Sequence, residues 1–92
     1  MKKLLIFLVA CTPPLPAVTQ ADADRSHIEL AQLTAGRDLI LKKCGGCHDT
    51  PSPGQRSASD WPKQVVLMQQ KAGIDDAQRD LITQYFVTMS SQ

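Results

Sequence analysis

An all-α fold is predicted for this chain, and three observations predict it. Apolar residues recur at helical spacing in three stretches of the sequence. Segments rich in proline, glycine and hydroxyl residues punctuate those stretches. Nowhere do apolar and polar residues alternate with the period of two that a half-buried strand requires. At 92 residues the chain has room for one domain. Its 10 basic and 9 acidic side chains leave a net charge of +1, which excludes nucleic-acid binding through a broad basic surface. Phe7, Trp61, Tyr85 and Phe86 are its only aromatic residues. A fold this small, with so few bulky side chains, needs a disulfide, a metal or a cofactor as a staple.

The first segment reads as a leader. Lys2 and Lys3 precede an unbroken apolar run over residues 4–10, and Pro13, Pro14 and Pro16 follow it. The run falls well short of the ~20 residues that span a bilayer and matches a secretory signal peptide. Ala21-Asp22-Ala23 supplies an A-x-A cleavage pattern. Residues 1–23 are therefore expected to be removed, and residues 24–92 to form the mature domain; a cut after Ala21 is the near alternative. A second alternative is lipidation, because Leu8-Val9-Ala10-Cys11 resembles a bacterial lipobox with Cys11 as the anchored residue. Cleavage after Ala23 takes away Lys2, Lys3, Asp22 and Cys11, leaving a neutral chain with two cysteines, Cys44 and Cys47.

Three helices and one loop are expected beyond the leader. Ser26-His27-Ile28-Glu29 has the capping-box pattern, and no proline interrupts residues 28–43, where Ala31, Ala35 and Leu39 recur every four positions. Gly36 inside this helix costs about 1 kcal/mol relative to alanine, so it points to a close approach by another backbone. Residues 49–58 contain two prolines and a glycine and read as a loop, with a turn at Pro53-Gly54. Ser59 or Asp60 caps the second helix, and Pro62 is tolerated in its first turn. Trp61, Val65, Met68 and Ala72 fall on one face, and Gly73 ends the helix. Asp75 and Gln78 form a capping box for the third helix, with Ile74 as staple and Leu81, Ile82, Tyr85, Phe86 and Met89 as its apolar stripe.

The chemistry sits at Cys44-Gly45-Gly46-Cys47-His48, a C-x-x-C-H motif of the kind that attaches c-type haem. Two thiols three positions apart can add to the two vinyl groups on one porphyrin edge. The next residue, His48, is thereby brought under the ring as an iron ligand. The glycines between the cysteines allow a tight backbone path. Three other readings exist. A thioredoxin-type dithiol requires a βαβ context that is missing here. A zinc site would have only Cys44, Cys47, His27 and His48 to draw on. A plain disulfide would leave His48 unexplained.

The chain resembles a small monohaem cytochrome c, of the short form with a tryptophan-bearing helix. Gly36-Arg37-Asp38-Leu39 followed by Lys43-Cys44-Gly45-Gly46-Cys47-His48 resembles that family's N-terminal helix, and Leu81-Ile82 with Tyr85-Phe86 resembles its C-terminal partner. The resemblance implies a cytochrome c-like three-helix fold around one covalent haem c, with thioethers at Cys44 and Cys47 and His48 as proximal ligand. It implies a distal methionine as well. That family usually supplies it from a loop between the last two helices, whereas here the connection is only Gly73-Ile74-Asp75. The pattern Trp61, Val65, Val66, Met68 resembles short members whose tryptophan helix carries the ligand, which puts Met68 first. Met89, His27 and a vacant sixth position stay open. Arg56 and Trp61 are expected to donate to a haem propionate, and His48 to a carbonyl of the loop at residues 51–53. Lys42, Lys43, Lys63 and Lys71 could form a rim that docks an acidic partner.

The function implied is electron carriage in the periplasm, without catalysis, between exported redox partners: a dehydrogenase as donor, an oxidase or another cytochrome as acceptor. A gas-binding or sensing haem domain with an open sixth position is the alternative. No transmembrane span is expected.

Overall fold

The computed structural model describes residues 15–43 and 51–90. Four helices account for most of them: α1 (Gln20–Ser26), α2 (Leu30–Lys43), α3 (Trp61–Ala72) and α4 (Asp76–Ser90), with a short 3-10 helix at Pro53–Gln55. There is no strand among the described residues, so the all-α expectation stands. None of their helices is long and apolar enough to cross a membrane. Helix α4 is the common support, and α1, α2, α3 and the 3-10 helix all pack on it.

The α2–α4 crossing is set by Gly36. A Cβ built there would overlap the Leu81 carbonyl oxygen and lie 3.2 Å from Tyr85 Cβ. The helix propensity lost at this glycine is thus the cost of backbone-to-backbone contact. The buried stripe of α2 runs through Leu33, Gly36 and Ile40. This corrects the expected stripe of Ala31, Ala35 and Leu39: Ala31 is exposed and the other two are half-buried. The four-residue alanine spacing marks a face lateral to the crossing, and the glycine marks the contact itself.

On α4, Ile82, Tyr85, Phe86 and Met89 are buried as expected, and Leu81 is half-buried. Trp61 and Val65 are buried from α3, with Met68 and Ala72 packed against the same core. The Trp61 and Phe86 rings stack at 3.9 Å and 8°, and Tyr85 meets Phe86 edge-on at 5.8 Å. Such pairs add about 0.5–1.5 kcal/mol beyond the area they bury. Gly73 closes α3 in the left-handed region at φ 68° and donates to the Gln69 and Gln70 carbonyls. The Asp75–Gln78 capping box forms in both directions: the Asp75 N–H donates to Gln78 Oε1 (3.0 Å) and the Gln78 N–H to Asp75 Oδ1 (2.8 Å).

The start of α2 differs from expectation. Ser26 is the last residue of α1 and does not cap α2, which begins at Leu30. His27 takes a left-handed conformation at φ 60° and caps the C-terminus of α1. The capping box lies upstream, where the Thr19 hydroxyl accepts the Asp22 N–H and Asp22 Oδ2 accepts the Thr19 N–H at 2.9 Å. The hydrogen bond from the Thr19 backbone, helped by Arg25 at 3.0 Å, holds the buried Asp22 carboxyl below its ordinary range. Ser26 is locally helical because these upstream residues already nucleate a turn.

Helix α1 and the strap before it rest on the helices below. Leu15 and Ala23 are buried. Arg37 donates to the Pro16 carbonyl through Nε (3.2 Å) and to the Leu15 carbonyl through Nη2 (3.1 Å). The Tyr85 hydroxyl donates to the same Pro16 oxygen at 2.7 Å. The expected cleavage points after Ala21 and Ala23 both fall within α1, while the apolar run of residues 4–10 and Cys11 lies outside the described residues.

Gly36→Ala should lower stability by about 1–3 kcal/mol, because the methyl group has to push two backbones apart. Relief of the helix-propensity cost alone would raise stability, so the sign of the thermal-melting shift decides whether the crossing is as tight as described. Tyr85 provides a pH test. Burial, partly opposed by Arg37, raises its pKa from 10.0 to about 12. The folded state therefore favours the neutral phenol: that stability is fully present below pH 10 and is lost as pH rises from there through about 12. As Tyr85 is the only tyrosine, an ultraviolet phenol titration should show a single late ionisation. Tyr85→Phe should flatten the alkaline loss of stability.

Candidate functional site

Cys44, Cys47 and His48 lie outside the described residues. The elements that flank them are described on both sides. Helix α2 ends at Lys43, one residue before Cys44, with Lys42 and Lys43 in its last turn, where cations suit the helix C-terminus. The chain is described again from Pro51, and Pro53 is buried at the start of the 3-10 helix. Helices α2 and α3 each pack on α4, and the segment bearing the motif joins them.

Trp61 fastens this joining segment. It is 1% exposed, its indole N–H donates to the Pro53 carbonyl at 2.9 Å, and its ring lies flat on Phe86 of α4. An indole has a single donor. With that donor given to Pro53, the expected hydrogen bond from Trp61 to a propionate has no proton left to make it. Trp61 is therefore a clamp on the loop that follows the motif. Arg56 is half exposed and donates to Asp60 Oδ2 at 2.9 Å. Asp60 occupies the N-cap position of α3 but makes no side-chain capping bond, because its carboxylate faces Arg56. A guanidinium carries five N–H donors, so Arg56 keeps the capacity to bind an anion that Trp61 lacks.

The three distal-ligand candidates lie on different elements. His27 is exposed at the corner between α1 and α2. The fourteen residues of α2 put about 20 Å between that corner and Lys43. Met89 is 7% exposed, within the core on α4. Met68 is half-buried on α3, on the face shared with Trp61 and Val65. The opposite face of α3 is apolar too: Val66 is 55% and Leu67 69% exposed, flanked by Pro62 and Lys63. Lys42, Lys43, Lys63 and Lys71 are all exposed.

Arg37 is the important residue that sequence reasoning passed over. Its neighbour Gly36 announces the crossing, but nothing in the spacing of charges shows that a guanidinium reaches back to residues 15 and 16. Thr19-x-x-Asp22 did carry a legible capping pattern, hidden by the reading of that stretch as leader. Among the described residues, no three His, Cys, Asp or Glu side chains converge as metal ligands.

No protein-family model, no curated protein and no solved structure matches this chain.

Trp61→Phe keeps a ring against Phe86 and deletes the N–H. It leaves the Pro53 carbonyl unpaired in a buried position, which should cost about 1–3 kcal/mol. Urea unfolding measures the loss, and faster proteolysis confined to residues 51–60 would locate it.

Proposed function

We propose that this chain is an exported c-type cytochrome that carries electrons through one covalently attached haem. The observation that carries the reading is the C-x-x-C-H pentapeptide, beginning at the residue after a helix whose internal glycine packs on the backbone of the last helix. The donor set fits the group. Cys44 and Cys47 would form the thioethers, His48 would be the proximal ligand, and the half-buried thioether of Met68 is a soft donor suited to the distal position. Bound haem supplies a one-electron ferric/ferrous couple.

The rest is the work of the chain's own side chains. Trp61 holds the loop beyond His48 to α4 through Pro53, and so limits where that loop can move. A carbonyl has two lone pairs, so Pro53 can still accept from a histidine ring N–H as well as from Trp61. Arg56 is the donor available to an anionic propionate. The exposed apolar pair Val66 and Leu67 beside Lys63 suits a transient redox partner, which needs a small contact that forms and releases quickly. Exported redox proteins, a dehydrogenase on one side and an oxidase or second cytochrome on the other, are the partners this reading asks for. The positive n-region and apolar run of residues 2–10 support periplasmic export.

Expression with haem-attachment machinery should yield a protein heavier by one haem, with a c-type pyridine haemochrome. Cys44→Ala and Cys47→Ala together should abolish both signals, and an unmodified mass in the unsubstituted protein would sink the reading. In the loaded protein, Met68→Ala should remove the weak far-red band of ferric methionine ligation and lower the potential, while Met89→Ala keeps the band. Retention of the band in Met68→Ala and its loss in Met89→Ala would transfer the ligand to α4. Rapid carbon monoxide binding by the unsubstituted ferrous protein would favour a gas-binding domain instead.

A further inference from the structure

We infer that residues 15–26 belong to the mature folded protein, so that any leader is cut before Leu15 and not after Ala21 or Ala23. Four independent attachments hold this segment. Leu15 sits in the core cluster at 5% exposure. Its carbonyl and that of Pro16 receive the Arg37 guanidinium, and the Pro16 oxygen also receives the Tyr85 hydroxyl at 2.7 Å. Arg25 bridges from the Asp22 carboxylate to the Thr88 carbonyl of α4, with Nη2 to oxygen at 3.1 Å. Ala23 is buried on the inner face of α1.

A cut after Ala21 or Ala23 would divide α1 and remove Thr19, whose hydroxyl and backbone complete the capping box. It would also strip the partners from Arg37 and from the Tyr85 phenol, and uncover the apolar surface under Leu15. Leader peptides are discarded after export, so a segment that satisfies the donors of two buried or half-buried side chains in the folded body is poorly placed to be one. Proline at 13 and 14 separates this packed strap from the apolar run, which makes the stretch before Leu15 the natural place for the boundary. The existence of a cut rests on the proposed export; its position rests on the packing alone.

The test is intact mass and N-terminal sequencing of the full chain, expressed with its own leader and purified from the cell envelope. A first residue at or before position 15 supports the inference, including a chain that starts at lipid-modified Cys11 or one left uncut. A first residue at Asp22 or Asp24 overturns it. Leu15→Ala gives a second readout on the purified protein. A residue that processing removes cannot alter the product, so an unchanged melting temperature would also overturn the inference. A fall of roughly 10 °C, as for truncation of a buried leucine in a domain of this size, is the result expected. Haem content is scored separately. An unmodified mass with a start at or before position 15 would therefore retire the cytochrome reading and keep this one.

Discussion

The contact between Gly36 of α2 and the Leu81 backbone of α4 is the constraint on which the rest of the structure depends. Two helices approach this closely only when the residue at the crossing has no side chain, and the position of each helix along the other is then fixed by that single point. From it follow the burial of Leu33 and Ile40 on one side and the placement of Tyr85 beside Arg37 on the other. The same crossing turns the neighbouring face of α4 toward α3, where Phe86 meets Trp61. An added methyl group at position 36 would disturb all of these together, because they share one rigid helix.

Helix α4 thus links the two segments that bracket the cysteine motif. The segment before it, α2, is held by the glycine crossing. The segment after it is held by Trp61, which stacks on α4 with its ring and grips Pro53 with its N–H. The described residues on either side of the motif are therefore both attached to one helix. For a proposed redox centre this arrangement is useful: groups around the iron keep their positions when the side chains that hold them are themselves locked by packing and hydrogen bonds. Only four aromatic residues occur in the chain, and three of them form this linkage.

The N-terminal strap adds a second layer of the same logic. Backbone carbonyls at positions 15 and 16 have no helical partners, and Arg37 and Tyr85 supply the donors. The phenol is pushed toward higher pKa chiefly because the core buries it. The strap's own helix is held by the Thr19–Asp22 box and by Arg25 reaching to Thr88. The bonds from Arg37, Tyr85 and Arg25 connect residues far apart in sequence, and they give the first described residues a fixed place on a fold whose other helices pack without them.

Local signals in the sequence were sufficient for several elements. Gly73 ends α3, Asp75 and Gln78 cap α4, and the apolar stripes of α3 and α4 face the core, because each depends on neighbours within one or two turns. The C-x-x-C-H motif is equally local, and the proposal of haem attachment rests on those five consecutive residues. The buried face of α2 was not, since its true stripe runs through a glycine that contributes no hydrophobicity and is buried only because Leu81 lies against it. The donor of Trp61 was misassigned for a related reason: an indole N–H takes whichever acceptor folding brings to it, and that acceptor lies eight residues back across a loop. By itself, then, the sequence determined the all-α class, helices α3 and α4, the closure of α3 at Gly73, the capping box of α4 and the motif that nominates a haem. Only the tertiary structure decided which faces meet, that His27 stands a helix length from Lys43, and that residues 15–26 pack as part of the fold. Those outcomes depend on distances between segments, which local periodicity does not encode.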